Sequence, residues 1–131
     1  MNVLWEWLRR FVPLKGRERL PPIRYSKINR SSKPPRNQDV KDGEFHLVFI
    51  KGRQHWALFR CPCGCGDVVT LSLQFAHRPH WAVRKSRPGR PTLSPSVWRD
   101  RGCYSHFWVT DGRIYWAANT GTSPAWQREG F

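Results

Sequence analysis

The sequence of 131 residues contains no apolar run that approaches the roughly 20 residues needed by a membrane-spanning helix. Its first residues also lack the basic start of a secretory signal, and Glu6, Arg9 and Arg10 interrupt the apolar stretch that such a signal needs. The absence of both features predicts a cytoplasmic protein in a reducing compartment. In such a compartment, clustered cysteines usually bind metal rather than form disulfides.

Acidic residues are also scarce. Nine Asp and Glu stand against 23 Lys and Arg, which gives a net charge of +14, and no His-Glu-x-x-His motif is present. A zinc-activated water needs an open metal position and a general base, commonly a glutamate. The scarcity of carboxylates therefore favours a structural role over a catalytic role for any metal that the cysteines bind.

The excess positive charge suits an acidic partner or nucleic acid. Residues 84–90 are strongly basic, and aromatic residues lie between basic ones along the chain. Because this combination allows base stacking together with phosphate contacts, a zinc-stabilised nucleic-acid-binding module is an alternative to an enzyme, as is a noncatalytic adaptor. Most of the tryptophans, however, stand in strand-like runs, where burial explains them.

Helical periodicity is absent between residues 44 and 118. Strand-like runs at 45–50 and 55–59 flank a Lys-Gly-Arg turn, and a second hairpin is predicted around Asp111-Gly112. Asp-Gly is a strong hairpin signal because a type I′ turn needs positive φ at both central positions. The pattern predicts an all-β fold, a compact antiparallel β domain.

The N-terminal part has a different composition. Residues 1–12 carry an apolar stripe that predicts a short amphipathic helix, and residues 14–43 are rich in Lys, Arg, Pro and Ser. A basic linker of this kind buries little surface, so the chain from Asp42 onward should fold without it. The predicted parts are residues 1–43 (helix and basic linker), 44–118 (β domain) and 119–131 (C-terminal tail).

All four cysteines fall in two clusters, Cys61-Pro62-Cys63-Gly64-Cys65-Gly66 and Cys103-Tyr104-Ser105-His106. Zinc holds thiolate sulfurs about 2.3 Å away in a tetrahedron, so neighbouring sulfurs lie within ~4 Å of one another. The proline and glycines of the first cluster let the backbone turn tightly enough for this. We predict one zinc that joins two remote parts of the β domain, with disulfides or inert thiols as the alternatives. The predicted ligands are Cys61, Cys63, Cys65 and Cys103.

His106 has two interpretations. Its Cys-x-x-His spacing suits a zinc ligand, and in that case one cysteine of the cluster at residues 61–66 would not bind the metal. If four cysteines saturate the zinc, the imidazole is available as a general base, because imidazole titrates near neutral pH. The spacing alone leaves both open, and Asp67 or Asp100 could orient the ring in the second case.

Three serines are candidate nucleophiles for a partner base at His106. Ser94 and Ser96 lie on a proline-rich loop that is free to approach the imidazole, and Ser96 is preferred. Ser105 adjoins His106, but strand alternation would direct its side chain to the opposite face. Ordinary turn serines are the alternative interpretation for both loop residues.

The chain resembles a family of small bacterial domains in four blocks, kept in the family's order. They are CPCGCG at 61–66, TLSPSV at 92–97, CYSHFWV at 103–109 and DGRIYWA at 111–117. Members of the family occur in operons that encode ubiquitin-like proteins with E1- and E2-like enzymes, the Bub-type conjugation systems linked to antiphage defence. The resemblance implies a peptidase that processes the C-terminus of the ubiquitin-like protein, with that protein and the E1- and E2-like enzymes as partners.

The resemblance covers about residues 44–118 and leaves the N-terminal part unexplained. Trp98-Arg99 stand where the family has Gly-Asn, and residues 76–91 are unusually basic. We expect these differences to concern the substrate rather than the fold.

Overall fold

The computed structural model of the protein describes residues 19–124, so the predicted helix at residues 1–12 lies outside the described residues. Within residues 19–124 the fold is all-β apart from one turn of 3-10 helix at Asn37–Asp39, which confirms the predicted class. The strands, in chain order, are β1 Lys27–Ser31, β2 Glu44–Ile50, β3 Arg53–Arg60, β4 Val68–Ser72, β5 Ala82–Arg87, β6 Arg90–Ser94, β7 Val97–Trp98, β8 His106–Thr110 and β9 Arg113–Trp116.

The strands form three sheets. β1-β2-β3-β4 make a four-stranded sheet, β5-β6 a hairpin, and β7-β8-β9 a three-stranded sheet. Every pairing between these strands is antiparallel except β1–β2, which is parallel. The pairings within residues 44–118, the predicted β domain, are all antiparallel, and the parallel strand β1 lies in the segment for which a linker is predicted. A parallel pair needs a long crossover, and residues 32–43 supply one, although their prolines and charges carry no strand pattern.

Tyr25 is a fully buried residue in the segment for which a linker is predicted. Its hydroxyl donates a 2.6 Å hydrogen bond to the Arg60 carbonyl, and its ring lies 5.8 Å from Phe45 and 5.2 Å from Phe59, edge-on to each. Burial also raises the pKa of the Tyr25 hydroxyl. We expected residues 14–43 to bury little surface, and this does not hold for residues 19–43. Individual side chains of that segment are buried although charged residues and prolines surround them in the sequence.

The main core lies where the three sheets meet. Buried side chains from all three sheets and from the segment before β1 contact one another there. The core residues are Tyr25, Phe45, Leu47, Ala57, Phe59, Cys61, Val69, Leu71, Val83, Leu93, Val97, Phe107, Val109 and Ile114. On β8 the burial alternates, with Phe107 and Val109 inward and His106 and Trp108 half-buried on the opposite face. This alternation places His106 on the surface of a rigid sheet.

The β8–β9 hairpin turns at Asp111-Gly112, where φ is 53° and 74°, as the predicted type I′ turn requires. The carbonyl oxygen of Gly112 accepts hydrogen bonds from the backbone N–H groups of Arg24 (2.7 Å) and Tyr25 (2.9 Å). A Cβ atom on Gly112 would collide with the carbonyl oxygen of Tyr25. The hairpin tip therefore closes against the chain segment that carries Tyr25.

We expect Gly112→Ala to lower the free energy of unfolding by about 2 kcal/mol or more. The substitution strains a left-handed backbone and also pushes Tyr25 away from the hairpin. The matched control is Gly52→Ala, because Gly52 has φ 79° in the β2–β3 turn and a Cβ added there would meet nothing within 4 Å. Chemical denaturation of both variants measures the difference, and equal losses would mean that the contact with Tyr25 contributes nothing.

Candidate functional site

The candidate catalytic pair lies at the beginnings of two neighbouring strands of the three-stranded sheet. β8 begins at His106, and Ser96 comes directly before β7, whose Trp98 pairs with His106 across the sheet. The Ser96 hydroxyl donates to His106 Nε2 over 3.1 Å. The carbonyl oxygen of Ser96 accepts a 3.1 Å hydrogen bond from the Trp81 indole, which holds the serine backbone in place. Ser96 and His106, ten positions apart in the sequence, thus lie in direct contact.

Asn119 completes a row of three polar side chains. His106 Nδ1 lies 2.7 Å from Asn119 Oδ1. An amide oxygen only accepts hydrogen bonds, so Nδ1 carries the proton and Nε2 presents its lone pair to Ser96. The arrangement selects the tautomer in which the imidazole can take a proton from the serine hydroxyl.

Asn119 is a residue that sequence reasoning missed, because it falls in the predicted tail of residues 119–131. The described part of that segment is tied to the sheet: the Thr120 hydroxyl accepts the His106 N–H at 2.9 Å, and the Gly121 N–H donates to the Tyr104 carbonyl at 2.9 Å. A polar Asn-Thr pair directly after a strong hairpin is the signal that could have found it. Carboxylates are the more familiar partners of a catalytic histidine, so the sequence directs attention to Asp67 and Asp100 instead.

These two carboxylates lie elsewhere. Asp67 pairs with Arg99 at 3.5 Å, and an oxygen of Asp100 lies 3.4 Å from Arg101. The side chain that orients His106 in the structure is therefore an amide rather than an acid.

Two tryptophans flank the imidazole. The Trp98 ring stacks on His106 with a centroid distance of 4.3 Å and an interplanar angle of 3°, and the Trp108 ring lies 5.7 Å away at 28°. Trp98 is itself anchored, since its indole N–H donates to the Thr122 carbonyl at 3.0 Å. The ring of His106 is held by stacking as well as by its two hydrogen bonds.

The other serine candidates are not brought to His106. Ser94 is exposed at the end of β6, where it pairs with Ala82. Ser105 is buried, and its hydroxyl donates to Cys103 Sγ at 3.1 Å. As strand alternation predicted, Ser105 and His106 point to opposite sides.

The four cysteines converge on one point. Cys61 follows the end of β3, Cys63 and Cys65 lie in the turn after it, and Cys103 lies in the loop between β7 and β8. Their sulfurs all lie within 4.8 Å of one another, with Cys61 Sγ 3.5 Å from Cys63 Sγ and 3.8 Å from Cys103 Sγ. This donor set fits a tetrahedral metal ion. The predicted ligand residues thus form a cluster that could bind a metal.

The surroundings of the sulfurs differ in polarity. Burial raises the pKa of the Cys61 thiol to about 12. Burial also acts to raise the pKa of Cys103, but hydrogen bonds from the side chain and backbone of Ser105 outweigh it and lower that pKa to about 7. Arg99 Nη1 lies 4.0 Å from Cys103 Sγ. Donors and a cation around Cys103 thus stabilise a thiolate, the form that binds metals.

The turn that carries the first cysteines is braced by one side chain. Arg60 donates to the carbonyl oxygens of Val40 (2.7 Å), Gly66 (2.7 Å) and Asn37 (2.8 Å). The backbone N–H of Cys65 donates to Cys63 Sγ at 3.3 Å. Protein hydrogen bonds thus brace the turn that carries Cys61, Cys63 and Cys65.

His106 lies outside the cysteine cluster, at the end of the same loop that carries Cys103. Its two ring nitrogens are engaged by Ser96 and Asn119, and the metal-compatible group in residues 19–124 comprises the four cysteines. In this arrangement the His106 ring contacts Ser96 and Asn119 rather than the cysteine cluster. Across those same residues, no helix is both long and apolar enough to cross a membrane.

The sequence model of a protein family matches residues 31–117, and the family is described as the bacterial ubiquitination-like system serine protease, BubE. No curated protein and no solved structure shows significant similarity to the chain. The match covers most of the described residues, including Ser96, His106 and all four cysteines, and it agrees with the family resemblance of the sequence. The chain belongs to the BubE family, the serine proteases of bacterial ubiquitination-like systems.

Proposed function

We propose that this chain is a serine peptidase in which Ser96 is the nucleophile, His106 the general base and Asn119 the group that orients the imidazole. The observation that supports this most is the 3.1 Å contact of Ser96 Oγ with His106 Nε2, while Asn119 Oδ1 lies 2.7 Å from the opposite ring nitrogen. An asparagine in the third position has precedent in Cys-His-Asn proteases.

In the proposed reaction, Ser96 Oγ forms a bond to the carbonyl carbon of the scissile peptide as its proton passes to His106 Nε2. The imidazolium so formed is held by Asn119 Oδ1 and by the face of Trp98. The C–N bond then breaks, and the leaving amine takes the proton from Nε2. Water then attacks the ester carbon as its proton passes to His106 Nε2. The bond to Ser96 Oγ breaks, the acid product leaves, and Nε2 returns the proton to Ser96 Oγ.

Zinc is the metal that we propose for the four-cysteine cluster. Thiolates in a tetrahedral arrangement are typical of structural zinc sites, and four protein ligands leave no position for a reactive water. Zinc bound there would hold the end of β3 to the loop before β8. Such a closed site supports a serine mechanism over a zinc-water mechanism, and its thiol ligands fit a reducing cytoplasm.

The proposed substrate is the C-terminus of a ubiquitin-like protein in a bacterial conjugation pathway with E1- and E2-like enzymes, linked to antiphage defence. Membership of the BubE family supports a ubiquitin-like substrate in general. The sequence resemblance adds C-terminal processing and the defence context. Nothing in the comparisons or in residues 19–124 supports binding to nucleic acid, the alternative that the net charge suggested.

We expect Ser96→Ala and His106→Ala each to lower turnover by at least about 10³-fold while the protein stays folded. Asn119→Ala should cost less, about 10–100-fold, because the base remains but its tautomer is no longer fixed. Two measurements apply: mass spectrometry of the ubiquitin-like protein after incubation, and labelling of Ser96 by an alkyl fluorophosphonate, which needs no substrate.

Ser94→Ala is the matched control for the nucleophile, since Ser94 is an exposed serine two positions away. It should cleave and label within about twofold of the unmodified protein. A Ser96→Ala protein that still cleaves at the normal rate would refute the proposed nucleophile.

We expect purified protein to contain one zinc ion per chain. Removal of the metal should lower the thermal midpoint by about 10 °C or more, because metal binding contributes directly to folding. Cys103→Ser should abolish stoichiometric zinc, whereas His106→Ala should retain it. Loss of zinc from His106→Ala would instead make the imidazole a ligand.

Trp98 should contribute to the reactivity of the Ser96–His106 pair. Trp98→Leu removes the stacked ring and is expected to slow fluorophosphonate labelling about 5–30-fold, the range of a cation–π contact of ~1–2 kcal/mol. Trp98→Phe, which keeps a flat aromatic face, should recover most of the rate. Equal rates for the leucine and phenylalanine variants would show that stacking plays no part.

A further inference from the structure

An apolar cavity of about 770 Å³ opens beside the outer strand of the three-stranded sheet. One wall consists of β9 and the residues after it, among them Tyr115, Trp116 and Ala118. The other wall consists of Pro21 and Pro22. Trp116 is 46% exposed, which is unusual for so large an apolar side chain.

The two prolines explain why a cavity forms at this place. Ile23 pairs with Arg113 in an isolated antiparallel bridge, so the chain before β1 begins to run along the free edge of β9. Pro21 and Pro22 have no backbone N–H and cannot extend this ladder toward Trp116. The segment diverges from β9 instead and leaves an open groove with rigid sides.

The groove is continuous with the proposed catalytic group. Trp108 lines the cavity, and its ring lies 5.7 Å from the ring of His106. At the other end Ala118 lines the cavity and directly precedes Asn119, whose side chain holds His106. The groove therefore begins beside the side chains that contact and orient His106.

The lining indicates which side chains the groove accepts. Aromatic, proline and alanine side chains make up most of it, and burial of an apolar side chain against them is favourable by about 25 cal/mol per Å². Arg24 is the charged residue among those that line it in the described part of the chain. Its guanidinium pairs with Asp42 at 3.2 Å, and no carboxylate lines the groove in the described part of the chain. The lining therefore offers no partner for a lysine or arginine side chain, within a protein of net charge +14.

We infer that this groove is a specificity pocket that receives a large apolar or aromatic side chain of the polypeptide substrate, one or two residues from the scissile bond. The inference rests on the proposed serine peptidase function and adds a substrate preference to it. Trp116 and Ala118 are then specificity-determining residues, since they contact the substrate side chain without taking part in the proton transfers.

The test uses the full chain and two matched sets of blocked octapeptides built of Gly, Ala and Ser. Each peptide of one set carries a single Phe, and each peptide of the other set carries a single Lys at the same position. Mass spectrometry gives the position and rate of cleavage. We expect cleavage within two bonds of the Phe, at least tenfold faster than for the Lys set. Alkyl fluorophosphonate labelling of Ser96 is measured in parallel.

Two substitutions alter the groove in different ways. Trp116→Asp removes an exposed tryptophan ring from the groove. Ala118→Glu introduces an anion at an exposed position and serves if the first variant folds poorly. Both should reduce the preference for Phe over Lys to threefold or less, with cleavage normalised to the labelling rate. The control is Phe75→Asp, because Phe75 is 82% exposed and lies outside the groove. It should keep the full preference.

The outcomes separate the two proposals. If Ser96 is not labelled by the fluorophosphonate, the proposed peptidase function fails, and the pocket fails with it. If Ser96 is labelled but the two peptide sets are cut equally, or equally left intact, the pocket alone is refuted.

A dimer that Trp116→Asp dissociates would assign the groove to a second copy of the chain. Faster cleavage of the Phe set by Leu8→Asp would assign it to the chain's own N-terminal segment. Either result would overturn the inference.

Discussion

Convergence of four thiols from two remote parts of the chain is the constraint on which the site depends. Cys61 stands at the end of β3 in the four-stranded sheet, and Cys103 stands in the loop that leads into β8 of the three-stranded sheet. Their sulfurs lie 3.8 Å apart although 42 positions separate them in the sequence. A small domain has limited apolar surface to bury, so a metal at this junction would fix the relation of its sheets more firmly than packing alone.

The same loop brings this constraint to the proposed catalytic residues. Cys103 is followed by Ser105, which turns inward to the sulfur, and then by His106, which turns outward to Ser96. Successive side chains of an extended chain point to opposite sides, so an inward-facing Ser105 directs His106 outward. The cluster thus sets where β8 begins, and β8 sets where the imidazole points.

The site orients its histidine without a carboxylate. Asn119 fixes the tautomer by accepting a hydrogen bond, and Trp98 covers one face of the ring. In the proposed mechanism an amide adds no negative charge to stabilise the imidazolium, so geometry and the aromatic face would supply what an aspartate supplies elsewhere. This is consistent with a chain that has nine acidic residues in 131.

Much of this protein follows from local sequence. The Asp111-Gly112 hairpin and the β class were predicted, because turn dihedrals and side-chain alternation depend on residues close together in the chain. The cysteine cluster was predicted from the four ligands that a tetrahedral metal needs, since Cys103 lies far along the chain from the other three cysteines. The contact between Ser96 and His106 was also expected, since alternation made Ser105 the poorer candidate partner of His106. Family blocks along residues 61–117 gave the same indication for the function.

Tertiary structure alone decided the remainder. Tyr25 is buried because the Gly112 carbonyl and the ring of Phe59 meet it, and neither lies near it in sequence. Asn119 faces His106 because the turn after β9 folds back over the start of β8, which its position in an apparent tail does not reveal. The parallel β1 pairing likewise depends on a crossover without a strand pattern. In all three cases the two segments in contact have no sequence pattern that predicts their pairing. The packing of the sheets, rather than the sequence around each residue, therefore determines these contacts.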